Sequence, residues 1–382
     1  MSEGSATAVA GVQSTAGRVR GLLLGSLPDE LLHGGLLLSV LFLLLAVPHF
    51  IRGGAEELVA NLVHHAHAFT VLMAVSILGR TLPLRTIAAF FFVGLFPAVF
   101  LALLVSGAVA GVVRDDRMLD SLLVPLVEEG VKAVPLIAFF WLSVRRGWQP
   151  SITDGVVLGF AIGAGMAIHE DGLYQRVYAE GSGESLLHLI FPTLGSQSTL
   201  SRVEVNGFYH SGWGSLIGLG IGAWFSLRRR YRWAFLLGLG AFLLAAFDHA
   251  IGNFIITSLG PRNLGALWTL DLEGMLPVLV VLIGVAAAAV GEVLLLRRMA
   301  REDQLLPGQS LQAALSGLGP TLDGLLRLQA ARNYSRARRA LHYLVWAGRG
   351  TPDPVALDRQ MGRVAAPAGR LGMTLLRWRP DR

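Results

Sequence analysis

Hydropathy, charge placement and the lack of cysteine together predict an all-α, polytopic membrane protein with about eight transmembrane helices. Hydrophobic residues make up 53% of the 382-residue chain and charged residues only 15%, a balance too apolar for a water-soluble domain. The apolar residues gather in runs of about twenty, the length a helix needs to cross the hydrocarbon core. Arginines punctuate these runs instead of lining one face, so the net charge of +6 reads as a topology signal and not as a nucleic-acid binder. Absence of cysteine excludes disulfides, thiolate metal sites and a cysteine nucleophile.

Residues 1–30 read as a disordered tail rich in Ser, Gly and Ala, without the basic start and small-residue cleavage site of a signal peptide. The transmembrane domain is expected over 31–300. Its spans run from Leu31 to Phe50, Leu58 to Leu78, Thr86 to Val113, Leu122 to Val144, Gly155 to Gln175, Gly207 to Leu227, Trp233 to Ile256 and Leu276 to Leu296. The second is the least apolar, because it carries Asn61, His64, His65 and His67. Arg80 and Arg85, Arg145 and Arg146, Arg228 to Arg230 with Arg232, and Arg297, Arg298 and Arg301 fall on alternate connections, which the positive-inside rule makes cytoplasmic. In the other connections acids dilute the arginines, as Asp115, Asp116 and Asp120 do around Arg114. Both chain ends then lie inside. Residues 301–382 form a basic cytoplasmic tail with short amphipathic helices, and Leu322 to Leu344, holding Arg336, Arg338 and Arg339, could lie on anionic lipid.

One span resists its surroundings. Leu122 to Val144 contains Glu128, Glu129 and Lys132, and each charge at a helix centre costs about 3 kcal/mol on insertion scales against a gain of about 0.5 kcal/mol per Leu or Val. Such residues face a wet cavity or one another. Lys132 stands four residues from Glu128 and three from Glu129, so it can neutralise either carboxylate but not both. The other remains available as a general base. A buried ion pair that only locks helix packing is the plainer alternative.

Helix directions fix the depth of the remaining polar residues at 1.5 Å per residue. Glu128 and Glu129 lie about 10 Å below the outer end of their helix, Glu170 about 8 Å, His210 about 5 Å, Asp248 and His249 about 10 to 12 Å, and Asn253 about 5 Å. Four helices thus place acids, imidazoles and an amide in one layer, the expected catalytic core at about 122–256. His249 and Asn253, four residues apart, share a face and could present two donors to one substrate oxygen. Glycines at 155, 159, 163 and 165, and at 214, 218 and 222, allow close helix approach.

Four short blocks resemble the PrsW family of intramembrane proteases, relatives of the CaaX-prenyl and bacteriocin-immunity membrane peptidases. They are Glu128-Glu129-Gly130-Val131-Lys132, Gly165-Met166-Ala167-Ile168-His169-Glu170-Asp171, His210 followed by glycines, and His249-Ala250-Ile251-Gly252-Asn253. The resemblance implies a multi-pass protease of the plasma (inner) membrane that cuts a membrane-anchored protein near its extracytoplasmic face, as in release of an anti-sigma factor. It implies Glu128 as the base that activates water, Glu129 as a second carboxylate that shares the proton or binds metal, Glu170 and His210 as water-positioning or metal-ligating groups, and His249 with Asn253 at the oxyanion. Lys132, Asp171 and Asp248 support them. The family pattern commonly has Phe at Met166 and Asn at Asp171. A divalent metal such as zinc, on Glu129, Glu170, His210 and His249, is compatible with the donor set but not required by it, since no HExxH pair is present.

The rival class is a proton-coupled transporter, because buried Glu, Lys and His also form proton relays. A carrier needs access from both sides, whereas the polar layer occupies the outer half alone.

Overall fold

A computed structural model describes residues 66, 69, 70, 72–77, 79–113, 115, 118–174, 209–257, 276–302, 322–348 and 353–370. The first expected span and most of the second, with His64, His65 and His67, lie outside the described residues. Within them the chain is helical, with no strand. Helix α1 covers Leu84–Ala110, α2 Val124–Arg145, α3 Ile152–Tyr174, α4 Tyr209–Leu227, α5 Phe235–Thr257, α6 Leu276–Glu302, α7 Leu322–Ala347 and α8 Pro354–Arg370.

Four of these are long and apolar enough to cross a bilayer, over Leu84–Ala110, Ile152–Glu170, Arg232–Phe254 and Leu279–Arg298. Their outward surface is apolar: Phe100, Leu104, Leu243, Leu282 and Ile283 are each more than half exposed, an arrangement stable only against hydrocarbon. Helix α2 is equally long but carries the three charges noted above, and α4 is diluted by glycine and serine. Pro97 lies inside α1, where its missing N–H and its ring disturb the helical ladder. The chain absorbs it in a widened turn at Gly94–Ala98.

Helix α3 is the hub. Its apolar stretch is 89% buried, against 17% for α6 at the rim, because glycines bring its backbone onto two neighbours. A Cβ at Gly159 would stand 1.9 Å from the Gly214 carbonyl oxygen, one at Gly155 2.2 Å from that of Gly218, and one at Gly163 1.9 Å from that of His210. On the other flank, a Cβ at Gly94 of α1 would stand 1.9 Å from the Ile162 carbonyl oxygen. Leu136, Phe140, Leu158, Ile162, Leu216 and Ile217, all 1% exposed or less, fill the space between α2, α3 and α4.

The start of α3 is fixed by a reciprocal cap. Ser151 Oγ accepts the Asp154 N–H at 3.0 Å, and Asp154 Oδ2 accepts the Ser151 N–H at 2.9 Å. Asp154 also accepts from the Thr81 N–H and hydroxyl and from the Leu82 N–H. Glu292 of α6 takes the Thr153 N–H at 3.0 Å and its hydroxyl at 2.6 Å.

Helices α7 and α8 pack on each other through Tyr334, Leu341, Val345, Val364 and Ala368, with Leu295 of α6 beside them. Together they reach three of the connections that the positive-inside rule makes cytoplasmic. Tyr343 Oη donates to the Gly79 carbonyl at 3.2 Å, Arg230 Nη2 donates to the Trp346 carbonyl at 3.2 Å, and the Arg363 guanidinium lies 5.4 Å from the Trp148 ring. Gly147, with φ +72°, ends α2 in the left-handed region, and a Cβ there would meet the Ala356 carbonyl at 2.8 Å. These connections therefore share one end of the bundle.

Candidate active site

At the opposite end, about 24 Å along α3 from Asp154, the glycine crossing delivers Glu170 to His210. His210 occupies the first turn of α4 and Glu170 the last turns of α3. The His210 Nε2 to Glu170 Oε2 distance is 2.7 Å. The same histidine turns Nδ1 to Lys132 Nζ of α2 at 2.9 Å, and Lys132 reaches Glu129 Oε1 at 2.6 Å. Glu129 Oε1 also lies 2.8 Å from His249 Nδ1 of α5. An unbroken set of hydrogen bonds thus ties the four helices together.

Proton positions follow from the partners. Lys132, as an ammonium, can only donate, so His210 accepts at Nδ1 and donates from Nε2 to Glu170. Glu129 as a carboxylate accepts the His249 Nδ1 proton, which leaves the His249 Nε2 lone pair facing Glu128 Oε2, 3.6 Å away. That gap is too long for a direct hydrogen bond and suits a small group between them.

The two glutamates, adjacent in sequence, sit in different surroundings. Glu129 and Lys132 are 0% exposed, whereas the Glu128 side chain is 15% exposed. Of the alternatives open to Lys132, the structure realises the pair three residues apart. Glu129 Oε2 is buried without a hydrogen-bond partner among the described residues. A fully desolvated carboxylate of this kind persists because its ammonium partner and the imidazole donor offset the cost. Glu128, more open and without a lysine partner, is the better placed to meet water.

The donor set fits a divalent metal. Glu128, His210 and His249 each offer a ligand atom, all within 4.8 Å of one another, and one carboxylate with two imidazoles is a known catalytic zinc set. His249 Nε2 and Glu128 need no rearrangement for this. His210 would first have to release Glu170 or Lys132. Glu129, a candidate ligand on sequence grounds, instead accepts the His249 Nδ1 proton, the usual role of an outer carboxylate that orients a ligating histidine. Glu170 does the same for His210.

Trp213 is part of the site and escaped the sequence reading. Its ring stacks on His249 at 3.9 Å between centroids and 15° between planes, and its Nε1 donates to the Asp248 carboxylate. The available signal was its spacing, three residues after His210 and hence on the same face. Asn253 lies one turn beyond His249, its Nδ2 donating at 3.0 Å to the Asp120 carbonyl in the turn before α2. Met166, 0% exposed, packs with Ala98, Val99, Ala102 and Val131, a gap-filling role that a flexible thioether performs well. The side chain of Asp171 lies outside the described residues.

A family model described as PrsW family intramembrane metalloprotease matches residues 82–289, more than half of the chain and inclusive of every residue of this cluster. No curated protein and no solved structure matches the chain.

Proposed function

The chain belongs to the PrsW family of intramembrane metalloproteases, and on that premise we propose that it is an endopeptidase that hydrolyses a membrane-anchored protein near the extracytoplasmic face. The observation that carries this reading is the convergence of Glu128, Glu129, Lys132, Glu170, His210 and His249, from four helices, into one connected cluster at the end of the bundle away from the arginine-bearing connections. With those connections cytoplasmic, eight spans and both termini inside, the cluster lies beneath the outer leaflet of a plasma membrane. Its substrate would then be a membrane-anchored regulator such as an anti-sigma factor.

In the reaction we infer, Glu128 takes a proton from water onto a carboxylate oxygen while the water oxygen attacks the scissile carbonyl carbon. Asn253, which gives one Nδ2 proton to the Asp120 carbonyl, offers its other to the resulting oxyanion, while His249, with Nδ1 bound to Glu129, turns an Nε2 lone pair to the same place and so suits a cation beside the oxyanion. Glu128 then passes its proton to the leaving amine as the C–N bond breaks. Lys132 and Glu129 hold the His249 and His210 rings in place, and Glu170 fixes the second face of His210. A divalent metal held by Glu128, His210 and His249 would supply a more acidic water and a positive charge beside the oxyanion. The apolar layer of Leu158, Ile162, Leu216 and Ile217 separates the cluster from the far end of the bundle and favours a one-sided hydrolytic site over a carrier.

Comparison of membrane proteomes from cells holding the native chain and the Glu128→Gln variant tests the proposal. A membrane-anchored protein that stays uncut only in the variant is expected, and identical cleavage patterns would overturn it. Sidedness has its own test: in this cysteine-free chain, Asp115→Cys should react with an impermeant reagent from outside and Arg229→Cys only from inside.

A further inference from the structure

Helix α7 turns one face toward the segment before α1. Arg332, Arg336, Arg339 and Tyr343 follow one another at steps of four, three and four residues and so share that face. The Tyr343 hydroxyl binds the Gly79 carbonyl at 3.2 Å, and Arg339 Nη1 donates to the Ile77 carbonyl at 3.4 Å. The segment they hold continues into Arg80 and Arg85. Arg336, half-buried, lies in the field of Arg80, Arg85, Arg339 and Arg332. Burial first, and then those four like charges, pull its pKa down to about 10.

Among the described residues the carboxylates that act on these arginines are Asp154, on Arg80 and Arg339, and Glu292, on Arg339, at most two negative charges against five positive ones, and both also hold the start of α3. Asp154 receives the N–H groups of Thr81, Leu82 and Ser151 and the Thr81 hydroxyl, while Glu292 binds Thr153. From residue 326 to its end, α7 has five arginines and no acid. The group therefore keeps a surplus of positive charge. Its position is equally telling, because Ile77 and Leu84, beside Arg80 and Arg85, are 56% and 59% exposed. Guanidinium groups thus stand where the lipid-facing surface of α1 begins, at the level of headgroups.

We propose that Arg80, Arg85, Arg332, Arg336 and Arg339 form a binding site for the phosphate group of an anionic phospholipid in the adjacent leaflet. The planar fork of arginine matches phosphate oxygens in pairs, and the exposed Ile77 and Leu84 receive the acyl chains. Free inorganic phosphate offers the same oxygens but gains nothing from that apolar surface. The bound lipid ties α7 to the entrance of α1 and so secures the α7–α8 pair to the bundle.

Native mass spectrometry of the full-length chain in neutral detergent, titrated with phosphatidylglycerol, phosphatidylcholine and inorganic phosphate, tests the site. Phosphatidylglycerol should bind in preference to both others. Each arginine near an anionic lipid contributes enough that Arg336→Gln should weaken binding about fivefold and Arg80→Gln with Arg336→Gln about thirtyfold. Arg85→Gln, on the first turn of α1 and not on α7, should also cost about fivefold. Arg359→Gln, exposed on α8, removes the same charge elsewhere and should change nothing. Equal binding of phosphatidylglycerol by the native chain and all three cluster variants would overturn the proposal. Inorganic phosphate binding as tightly as the lipid would also overturn it, assigning the arginines to a soluble anion.

Discussion

Replacing Lys132 by Met isolates the buried charge on which the site is built. Met keeps the reach of the side chain and removes its ammonium. Glu129 then retains only the His249 Nδ1 donor at 2.8 Å, with Oε2 already unsatisfied among the described residues. Because both members of the pair are 0% exposed, solvent cannot take over the lost interaction. Breaking a buried pair from one side costs about 3–5 kcal/mol, whereas replacing both partners is often close to neutral. The variant also leaves His210 Nδ1 without its lysine donor, at about 1–3 kcal/mol. The double variant Lys132→Met with Glu129→Gln shares that second loss but carries no stranded carboxylate. Detergent-titrated unfolding of the native chain, both single variants and the double should therefore yield a coupling energy of about 2 kcal/mol or more. The double variant should be more stable than Lys132→Met alone. A lysine variant as stable as the native chain, or a double variant no better than the single, would mean that Glu129 does not depend on Lys132.

Gly159→Val forces α3 and α4 apart by about 1 Å at their contact and should cost about 2–3 kcal/mol of stability, while Gly240→Ala, which meets nothing within 4 Å, should not lower the unfolding midpoint. Trp213→Leu removes the ring stacked on His249 and the donor to Asp248, so kcat should fall about tenfold with KM little altered; a change in KM alone would assign Trp213 to substrate binding. The purified chain should bind one divalent metal, Glu129→Gln should weaken that binding about tenfold by loosening His249, and stripping the metal should stop cleavage until it is restored. Full activity in a stripped sample would remove the metal from the mechanism and leave the carboxylate chemistry in place.

Much of the helical layout was legible because apolar runs bounded by arginine leave little freedom. The expected spans Gly155 to Gln175, Gly207 to Leu227 and Trp233 to Ile256 coincide within three residues with α3, α4 and α5. Depth alone brought Glu128, Glu129, Glu170, His210 and His249 to one layer, and the helices bring them to one cluster. Lateral geometry was not legible. Spacing left Lys132 open to two carboxylates, and only the packing of α5, which turns His249 Nδ1 toward Glu129, separates a buried glutamate from an open one. The Asn253 link to a main-chain carbonyl left no trace in side-chain patterns. Glu292, capping α3 from 139 residues away, resembled an ordinary charge near the end of a span. Residues 322–370 suggested short helices by their mixed composition, and their contacts with the connections depend on Gly79, Gly147 and other backbone groups that composition does not record.

Hydrolysis performed in heavy-oxygen water, on a substrate identified by the proteome comparison and reconstituted with the purified chain in lipid vesicles, bears on whether Glu128 activates water. The newly formed carboxyl terminus of the released fragment should carry one heavy oxygen with the native chain, and no labelled fragment should form with Glu128→Gln. An unlabelled terminus, or labelling that persists in the variant, would contradict the assignment of Glu128 as the base.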